Sequence, residues 1–450
     1  MDNNLNLRRF ASDSLINFIQ IILTVLLGFG ISSIVGRTLG TTGKGIYEVA
    51  MLLPIMLQWI FNLGITTAST YYVAHGDHDL ALATRGNITL SLWISLFGML
   101  VGFLVVYFGS ADVFPGVPRP ILLLSLAVLP FLYFRGNLNA ILQGLQDFRA
   151  FSIVELIPSL ITFFLLIVFM LTQSVQVADI VLAYLLGNAT AVIAVIMILR
   201  KRSGTSLPLF SLRIDPTYLK QMMNYGLKSQ LNVISIYLLL RVDVLLINLL
   251  GGGAASVGIY SIAVLFADRV WLVSGFTSRI ILPRIAASES ADANRTELTL
   301  MITRYTFWFS LVIAIGLALL GEWVIVLIYG EPFRPAIHAL LGILPGVILF
   351  NFGVMLGSDI AGRGRPDITA TQAGIAFIIN LVVNLILIPK YDYVGAALAS
   401  TLAYAYYGIA HIYIFSRMNG TPWWNVWLPT QKDIIYASKL LVMARKRLKI

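Results

Sequence analysis

Long apolar segments alternate with short polar ones along the whole chain. An α-helix rises about 1.5 Å per residue, so about 20 apolar residues cross the roughly 30 Å hydrocarbon core of a bilayer. Segments of this kind occur at about residues 13–35, 46–73, 88–109, 119–143, 151–172, 177–199, 225–250, 257–283, 304–329, 337–360, 369–388 and 393–415. The pattern therefore predicts an all-α integral membrane protein with twelve transmembrane helices.

The composition supports a membrane protein. Of the 450 residues, 58% are hydrophobic and 12% are charged, whereas soluble domains have about 45–50% apolar and about 25% charged residues. The mean hydropathy is +0.86. The chain has no cysteine, so disulfides, thiolate metal sites and cysteine nucleophiles are excluded. The apolar run after "MDNNLNLRRF" contains no small-residue cleavage site before Gly28, which predicts an uncleaved first span.

The basic residues are distributed unevenly between alternate loops, and the net charge is +10. If the N-terminus is cytoplasmic, the outer loops hold only Arg37, Lys44, Arg119, Arg334 and Lys390. Lys and Arg are enriched on the cytoplasmic side of membrane proteins, so both termini are predicted to be cytoplasmic. The net positive charge then reflects the orientation of the chain in the membrane. No nucleic-acid partner is expected.

Two halves of the chain resemble each other. The segment "LGTTGKGIYEVA" from Leu39 is similar to "LGGGAASVGIYSIA" from Leu250, and each follows the first span of its half. The hydrophilic stretch 200–224 separates the halves. We predict an N-terminal six-helix bundle (1–199), a cytoplasmic linker (200–224), a C-terminal six-helix bundle (225–416) and a basic cytoplasmic tail (417–450). Six is an even number, so the bundles should be related by a pseudo-two-fold axis along the membrane normal, as in parallel-repeat transporters.

Polar side chains inside several predicted spans follow the 3.6-residue period of a helix. Such stripes are candidates for lining a polar cavity and for binding a substrate. They contain Asn17 and Gln20 in span one, Gln58 and Asn62 in span two, Arg135, Asn139 and Gln143 in span four, and Asn232 in span seven. Arg135 is the strongest candidate because it shares its stripe with two amides.

Full charges also occur inside two spans of the second half. Arg241 and Asp243 lie about 200° apart on one helix, so they cannot pair with each other. Asp268 and Arg269 in span eight lie at similar depth. The pairs Arg241–Asp268 and Asp243–Arg269 are therefore both feasible. Two interpretations remain open: interhelical salt bridges inside one bundle, or a water-filled cleft in which an arginine binds an anionic substrate. Asp243 and Asp268 are candidates for ion coupling or for salt bridges.

The sequence contains neither a phosphate-binding "GxxxxGK[ST]" loop nor a "GxSxG" nucleophile elbow. No enzymatic activity, metal or cofactor is expected.

Five segments, taken in order, resemble one family. They are "VGRTLGTTGKGIYEVAMLLP", "VDVLLINLLGGGAASVGIYSIA", "LIYGEPFRPAIHALLGILPG", "IAGRGRPDI" and "NLILIPKYDYVGAALASTLAY". Together they are similar to the polysaccharide-export (Wzx-type) oligosaccharide-lipid flippases of the multidrug/oligosaccharidyl-lipid/polysaccharide (MOP) exporter superfamily. The resemblance covers roughly residues 10 to 416, and Arg37 matches the loop signature of the family.

The resemblance implies a MATE-like pair of six-helix bundles in the cytoplasmic (inner) membrane, enclosing a cationic cavity. The implied function is translocation of an undecaprenyl-diphosphate-linked oligosaccharide from the cytoplasmic to the outer leaflet, for O-antigen, capsule or exopolysaccharide synthesis. A diphosphate is an anion that must cross hydrocarbon, and guanidinium groups bind phosphate oxygens bidentately. Expected partners are the lipid bilayer and the lipid-linked glycan. Further candidate partners are glycosyltransferases and a polymerase of the same pathway.

Two other functions remain open. One is a cation-coupled multidrug or metabolite antiporter of the same fold, which would have an acidic or apolar cavity. The other is a membrane glycosyltransferase or polysaccharide polymerase, which would need catalytic carboxylates and a substantial outer loop. Arg135 on the most polar stripe favours the flippase over the antiporter.

Overall fold

The computed structural model describes residues 2–76, 79–172, 175–203, 215–287, 292–430 and 433. Regular structure in these ranges is helical. The α-helices are α1 (Asp2–Phe61), α2 (Ile65–His75), α3 (Leu80–Val113), α4 (Arg119–Leu126), α5 (Leu129–Gly144), α6 (Phe148–Thr172), α7 (Val177–Ser203), α8 (Pro216–Leu250), α9 (Gly253–Ala287), α10 (Asp292–Tyr329), α11 (Ala336–Gly362) and α12 (Pro366–Asn419). Short 3-10 helices occur at Glu331–Phe333 and Trp423–Val426.

Ten helical segments in the described ranges, one of them made up of α4 and α5 together, are long and apolar enough to cross a membrane, so the chain is a multi-pass membrane protein. Two of these segments are long enough to cross the membrane twice. The candidate span in α1 has 46 residues and that in α12 has 54, or about 70 Å and about 80 Å of helix. Each helix is broken once, at Gly40 (φ 66°) in α1 and at Asp392 (φ 51°) in α12. Both breaks fall in predicted loops. The all-α membrane fold is confirmed, and the count of twelve spans stays a prediction.

Two predicted spans are not continuous helices: 119–143 is divided between α4 and α5, and 46–73 between α1 and α2. The segment 46–73 is interrupted between α1 and α2, where Leu63 (φ 53°) and Gly64 (φ 71°) adopt left-handed backbone conformations. A side chain at Gly64 would overlap the backbone of Gly226 in α8. The prediction of one unbroken helix was therefore wrong, because hydropathy does not report a backbone contact between two helices.

The described residues form two compact units. The first comprises Met1–Tyr237, Val244–Ile259 and Ile328–Pro332, and the second comprises Leu238–Asp243, Tyr260–Leu327 and Phe333–Ile450. One apolar core of the first unit joins α5, α6 and α7 through Leu138, Val154 and Val195. One core of the second joins α10, α11 and α12 through Leu300, Phe352 and Ile412. The predicted division into bundles, linker and tail stays a prediction.

Large apolar side chains are also exposed along the outer faces of several helices. Phe108 on α3, Leu171 on α6 and Leu319 on α10 are each more than 70% exposed. In water such faces would be unfavourable. In a bilayer they are the surface that contacts lipid.

The glycines of the two Gly-Ile-Tyr copies, Gly45 and Gly258, lie against each other within the first unit. A methyl group on Gly45 would overlap the carbonyl of Ala254, and one on Gly258 would overlap the carbonyl of Thr41. The methyl group on Gly45 would also lie 3.0 Å from the backbone nitrogen of Gly258. The methyl group on Gly258 would lie 3.1 Å from the backbone nitrogen of Gly45. The repeated glycine is therefore required on both sides of one backbone-to-backbone contact.

Replacing Gly258 by alanine is expected to destabilise the protein by about 1–3 kcal/mol, because the added methyl group forces two backbones apart. The midpoint of thermal unfolding of the purified protein in nanodiscs measures the change. Gly374→Ala is the matched control, since a methyl group there meets nothing within 4 Å. Equal midpoints for the two variants would contradict the expectation.

Candidate functional site

The strongest sequence candidate, Arg135, lies on α5 and is paired. Its Nη1 donates to Glu155 Oε2 on α6 at 2.8 Å, and Asn139 Nδ2 donates to Glu155 Oε1 at 2.8 Å. The side chains of Arg135 and Glu155 are 17% and 32% exposed. Sequence reasoning overlooked Glu155, although it is the only acidic residue in the apolar run 151–172. Arg135 and Asn139 are thus brought together as predicted, but by a carboxylate from the next span.

The amides of spans one, two and four do not form one cluster. Gln58 Nε2 donates to Leu132 O at 3.4 Å, which places it beside α5. Asn62 donates to Thr66, and Thr66 donates to Asn137 of α5. Gln143 is exposed, and its Oε1 accepts from Thr70 at 3.4 Å. These three amides therefore follow the contact of α1 and α2 with α5.

The remaining polar candidates have separate surroundings. Asn17 accepts a hydrogen bond from Ser152 of α6, and Gln20 donates to Thr24 one turn along its own helix at 3.0 Å. Asn232 is half-buried on α8, and its Oδ1 has no hydrogen-bond partner among the described residues. Arg37 Nε donates to Ile328 O at 2.7 Å in the last turn of α10. An arginine there stabilises the negative end of the helix dipole, so Arg37 has a structural contact of its own.

One of the two pairings that the sequence left open for the second half is present. Arg241 Nη2 of α8 lies 3.0 Å from Asp268 Oδ2 of α9, and the two side chains are 38% and 23% exposed. Trp271 Nε1 donates to Asp268 Oδ1 at 3.2 Å. Arg269 is half-buried on α9. The Arg241–Asp268 pair is therefore only partly buried.

The other intramembrane acid, Asp243, is buried among hydroxyl and amide groups. Its Oδ2 accepts from the Tyr260 hydroxyl and from Ser400 Oγ, the latter at 3.2 Å. Asn380 Nδ2 donates to Ser400 at 3.3 Å, and Asn384 donates to Asn380 at 2.9 Å. All five side chains are buried. A buried carboxylate in such surroundings can exchange a proton or hold a small cation, and the other end of the network is Asn384 Oδ1, which has no described partner.

A second buried carboxylate lies where α10, α11 and α12 approach one another, and sequence reasoning did not single it out. Asp359 Oδ1 accepts from Arg295 Nε at 3.0 Å, and its Oδ2 accepts from Arg363 Nε at 2.6 Å. Arg363 also donates to Thr296 at 3.1 Å. Asp359 is fully buried, whereas both arginines are slightly exposed. The spacing of Asp359 and Arg363, four residues apart at the end of α11, was the available signal.

The segment after α12 folds back onto α10. Arg304 donates to the Asn425 carbonyl at 2.7 Å and to Asp433 at 2.8 Å. Burial alone would raise the pKa of Asp433, but hydrogen bonds from Arg304 and Thr430 outweigh it and lower the pKa below its usual value. These contacts fix the start of the tail and provide no open site.

Comparison with known proteins identifies similar chains. Residues 10–289 match the model of a family described as polysaccharide biosynthesis protein. Among curated proteins, the chain is 24% identical over 199 residues to the probable low-salt glycan biosynthesis flippase Agl15 of Haloferax volcanii, covering 44% of this chain and 42% of that protein. It is 23% identical over 169 residues to the capsular polysaccharide biosynthesis protein CapF of Staphylococcus aureus, covering 37% of this chain and 42% of that protein. The match thus spans about two fifths of each relative.

Solved structures share the fold. The lipid II flippase MurJ in an inward closed conformation superposes with a TM-score of 0.76 and 14% identity, covering 92% of this chain and 89% of that chain. An inward-facing multidrug resistance MATE family transporter of the MOP superfamily superposes with a TM-score of 0.62 and 14% identity, covering 90% of this chain and 98% of that chain. At these identities the likeness shows the fold alone, an all-helical membrane fold shared with these two proteins.

Proposed function

The chain belongs to the polysaccharide biosynthesis protein family, and from that premise we propose that it is a flippase for a lipid-linked glycan. The family membership confirms the resemblance found in the sequence. The proposed substrate is an undecaprenyl-diphosphate-linked oligosaccharide, moved from the cytoplasmic to the outer leaflet for surface polysaccharide synthesis. The observation that carries the proposal is the family match together with ion pairs on membrane-spanning helices, Arg135–Glu155 and Arg241–Asp268.

These pairs matter because charge inside a bilayer is costly. Each charged side chain near the midplane costs about 2.5–3.5 kcal/mol unless it is hydrated or neutralised. Pairs that are part-exposed satisfy this condition and still leave donors for a ligand. We propose that Arg135, Arg241 and Arg269 bind the polar part of the substrate while the prenyl tail stays in lipid.

Transport then requires no covalent chemistry, so no enzymatic step is proposed. In the proposed arrangement twelve spans form two six-helix bundles with both termini in the cytoplasm of an inner membrane. Their polar interior is exposed alternately to each leaflet. The names of the curated relatives, a flippase and a capsular polysaccharide biosynthesis protein, support the flippase over the antiporter, because the shared fold alone does not separate the two.

Deletion of the gene tests the function. We expect loss of the surface polysaccharide and accumulation of the lipid-linked repeat unit, measured by metabolic labelling with radioactive sugar and extraction of the lipid fraction. Expression of the wild-type chain should restore both. Unchanged surface polysaccharide in the deletion strain would contradict the proposal. Export of single unpolymerised units would favour the polymerase.

We further propose that Asp243 couples transport to a proton or sodium gradient. Asp243→Asn keeps the shape of the buried network but removes its ionisable group. We expect at least about 10-fold slower gradient-driven uptake of undecaprenyl diphosphate in proteoliposomes, with exchange in the absence of a gradient changed by less than about 3-fold. Separate dissipation of the proton and sodium gradients identifies the ion.

Asp112→Asn is the matched control for this experiment, because Asp112 lies exposed near the end of α3. Gradient-driven uptake by Asp243→Asn at the wild-type rate would contradict the coupling role. Equal loss with and without a gradient would assign Asp243 to structure instead.

A further inference from the structure

Arg241, Asp268 and Trp271 form a subsite whose chemistry differs from that of a phosphate site. Resting on the proposed function, we propose that this group binds the sugar part of the lipid-linked glycan rather than its diphosphate. In the described chain the three side chains are joined by one ion pair and one hydrogen bond, Arg241–Asp268 at 3.0 Å and Trp271–Asp268 at 3.2 Å. The proposal assigns them the neutral, hydroxyl-rich part of the substrate.

Charge is the first argument. A diphosphate is attracted by net positive charge, and Asp268 cancels the charge of Arg241 in this pair. A carboxylate beside the site would also repel phosphate oxygens. Sugar hydroxyls, in contrast, both donate and accept hydrogen bonds. A guanidinium offers five N–H donors and a carboxylate about four acceptor positions. One ion pair can therefore donate hydrogen bonds to some neighbouring hydroxyls and accept them from others.

Access is the second argument. The half-exposed residues Ser261, Leu265, Asp268, Trp271 and Gly275 recur at intervals of three and four residues and so share one face of α9. In the described part of α9, from 253 to 271, no large apolar side chain is exposed. Over residues 253–271 the helix therefore presents none of the large exposed apolar side chains seen on α3, α6 and α10. Its open face carries a carboxylate, which favours contact with water and a polar ligand.

The position of Trp271 is the third argument. Its indole N–H bonds to Asp268 Oδ1, which fixes the ring beside the ion pair. Its ring contact with Phe350 is edge-on, with centroids 6.4 Å apart and an interplanar angle of 81°. No described aromatic ring stacks on its face. A sugar presents an apolar face of C–H groups as well as hydroxyls, so a fixed indole beside paired polar groups matches both surfaces.

The experiment compares export of the complete glycan with binding of a probe that has no sugar. The variants are Asp268→Asn, Trp271→Leu and Trp271→Phe. Export is measured as surface polysaccharide in the deletion strain, and undecaprenyl diphosphate is the probe for binding to purified protein in nanodiscs. Asp112→Asn and Trp323→Leu are controls, because Asp112 is exposed near the end of α3 and Trp323 lies on the exposed face of α10.

We expect Asp268→Asn and Trp271→Leu to lower export at least 10-fold and to weaken the binding of undecaprenyl diphosphate less than 2-fold. Trp271→Phe, which keeps a ring face, should recover part of the lost export. Thermal unfolding midpoints equal to wild type separate a binding role from a packing role.

Three results would overturn the inference. The first is wild-type export by Asp268→Asn. The second is a parallel loss of at least 10-fold in affinity for the sugar-free lipid. The third is a loss of export in both Trp271 variants that a lowered unfolding midpoint explains. Failure of the proposed function looks different, since wild-type protein would then neither restore export nor bind the sugar-free lipid.

Discussion

Replacing Asp359 by asparagine is expected to destabilise the protein by about 3–5 kcal/mol. Asp359 is fully buried and is the shared partner of Arg295 and Arg363. Removing one member of a buried ion network leaves the remaining charges uncompensated, and this loss exceeds the stabilisation that the network itself provides. Both guanidiniums are mostly shielded from water, so their hydration offsets little of the lost stability.

The midpoint of thermal unfolding in nanodiscs and the yield of folded protein in the membrane measure this effect. Asp367→Asn is the matched control, because its pair with Arg365 is exposed on both sides and such pairs contribute about 0–1 kcal/mol. If both variants unfold at the same temperature, the buried network contributes nothing to holding α10 and α11 together.

Replacing Arg135 by alanine is expected to lower glycan export about 10- to 100-fold while the protein remains in the membrane. A hydrogen bond that involves a charged group contributes about 1.5–3 kcal/mol, and about 1.4 kcal/mol corresponds to a factor of ten. The loss follows if Arg135 binds the polar part of the substrate, as proposed above. Surface polysaccharide and the amount of accumulated lipid-linked intermediate measure it.

Glu155 supplies the control for this experiment. If Arg135 only neutralises Glu155, the double variant Arg135→Ala/Glu155→Ala removes the uncompensated charge and regains export. If Arg135 contacts substrate, the double variant exports as poorly as Arg135→Ala. Recovery in the double variant would therefore assign the pair to structure and would remove Arg135 from the binding site.

Several features of this molecule were predictable because each depends on one helix. The length of an apolar run gives a membrane-spanning helix, and the breaks at Gly40 and Asp392 fall in predicted loops. The pairing of Arg241 with Asp268 was among two feasible arrangements, because depth along a helix can be counted from the sequence. Similarly, the repeated Gly-Ile-Tyr motif was visible as a repeat before its two copies were found in contact.

Features that depend on the rotation of one helix against another were not predictable. Arg135 was expected to face open space, and its pairing with Glu155 depends on how α5 packs against α6. Asp359 was not singled out, since Arg295 and Arg363 read as loop cations until the helix ends were brought together. Likewise the break at Leu63–Gly64 reflects the approach of Gly226 from a distant part of the chain.

The sequence by itself determined that this is a membrane protein, that it is helical and which family it resembles. Hydropathy, helical period and ordered motifs are local properties of the chain. Only the tertiary structure decided which intramembrane charges pair with each other and how far each pair is exposed. The reason is that a charge is stabilised by whatever lies within a few ångströms of it, and packing between distant segments sets those neighbours.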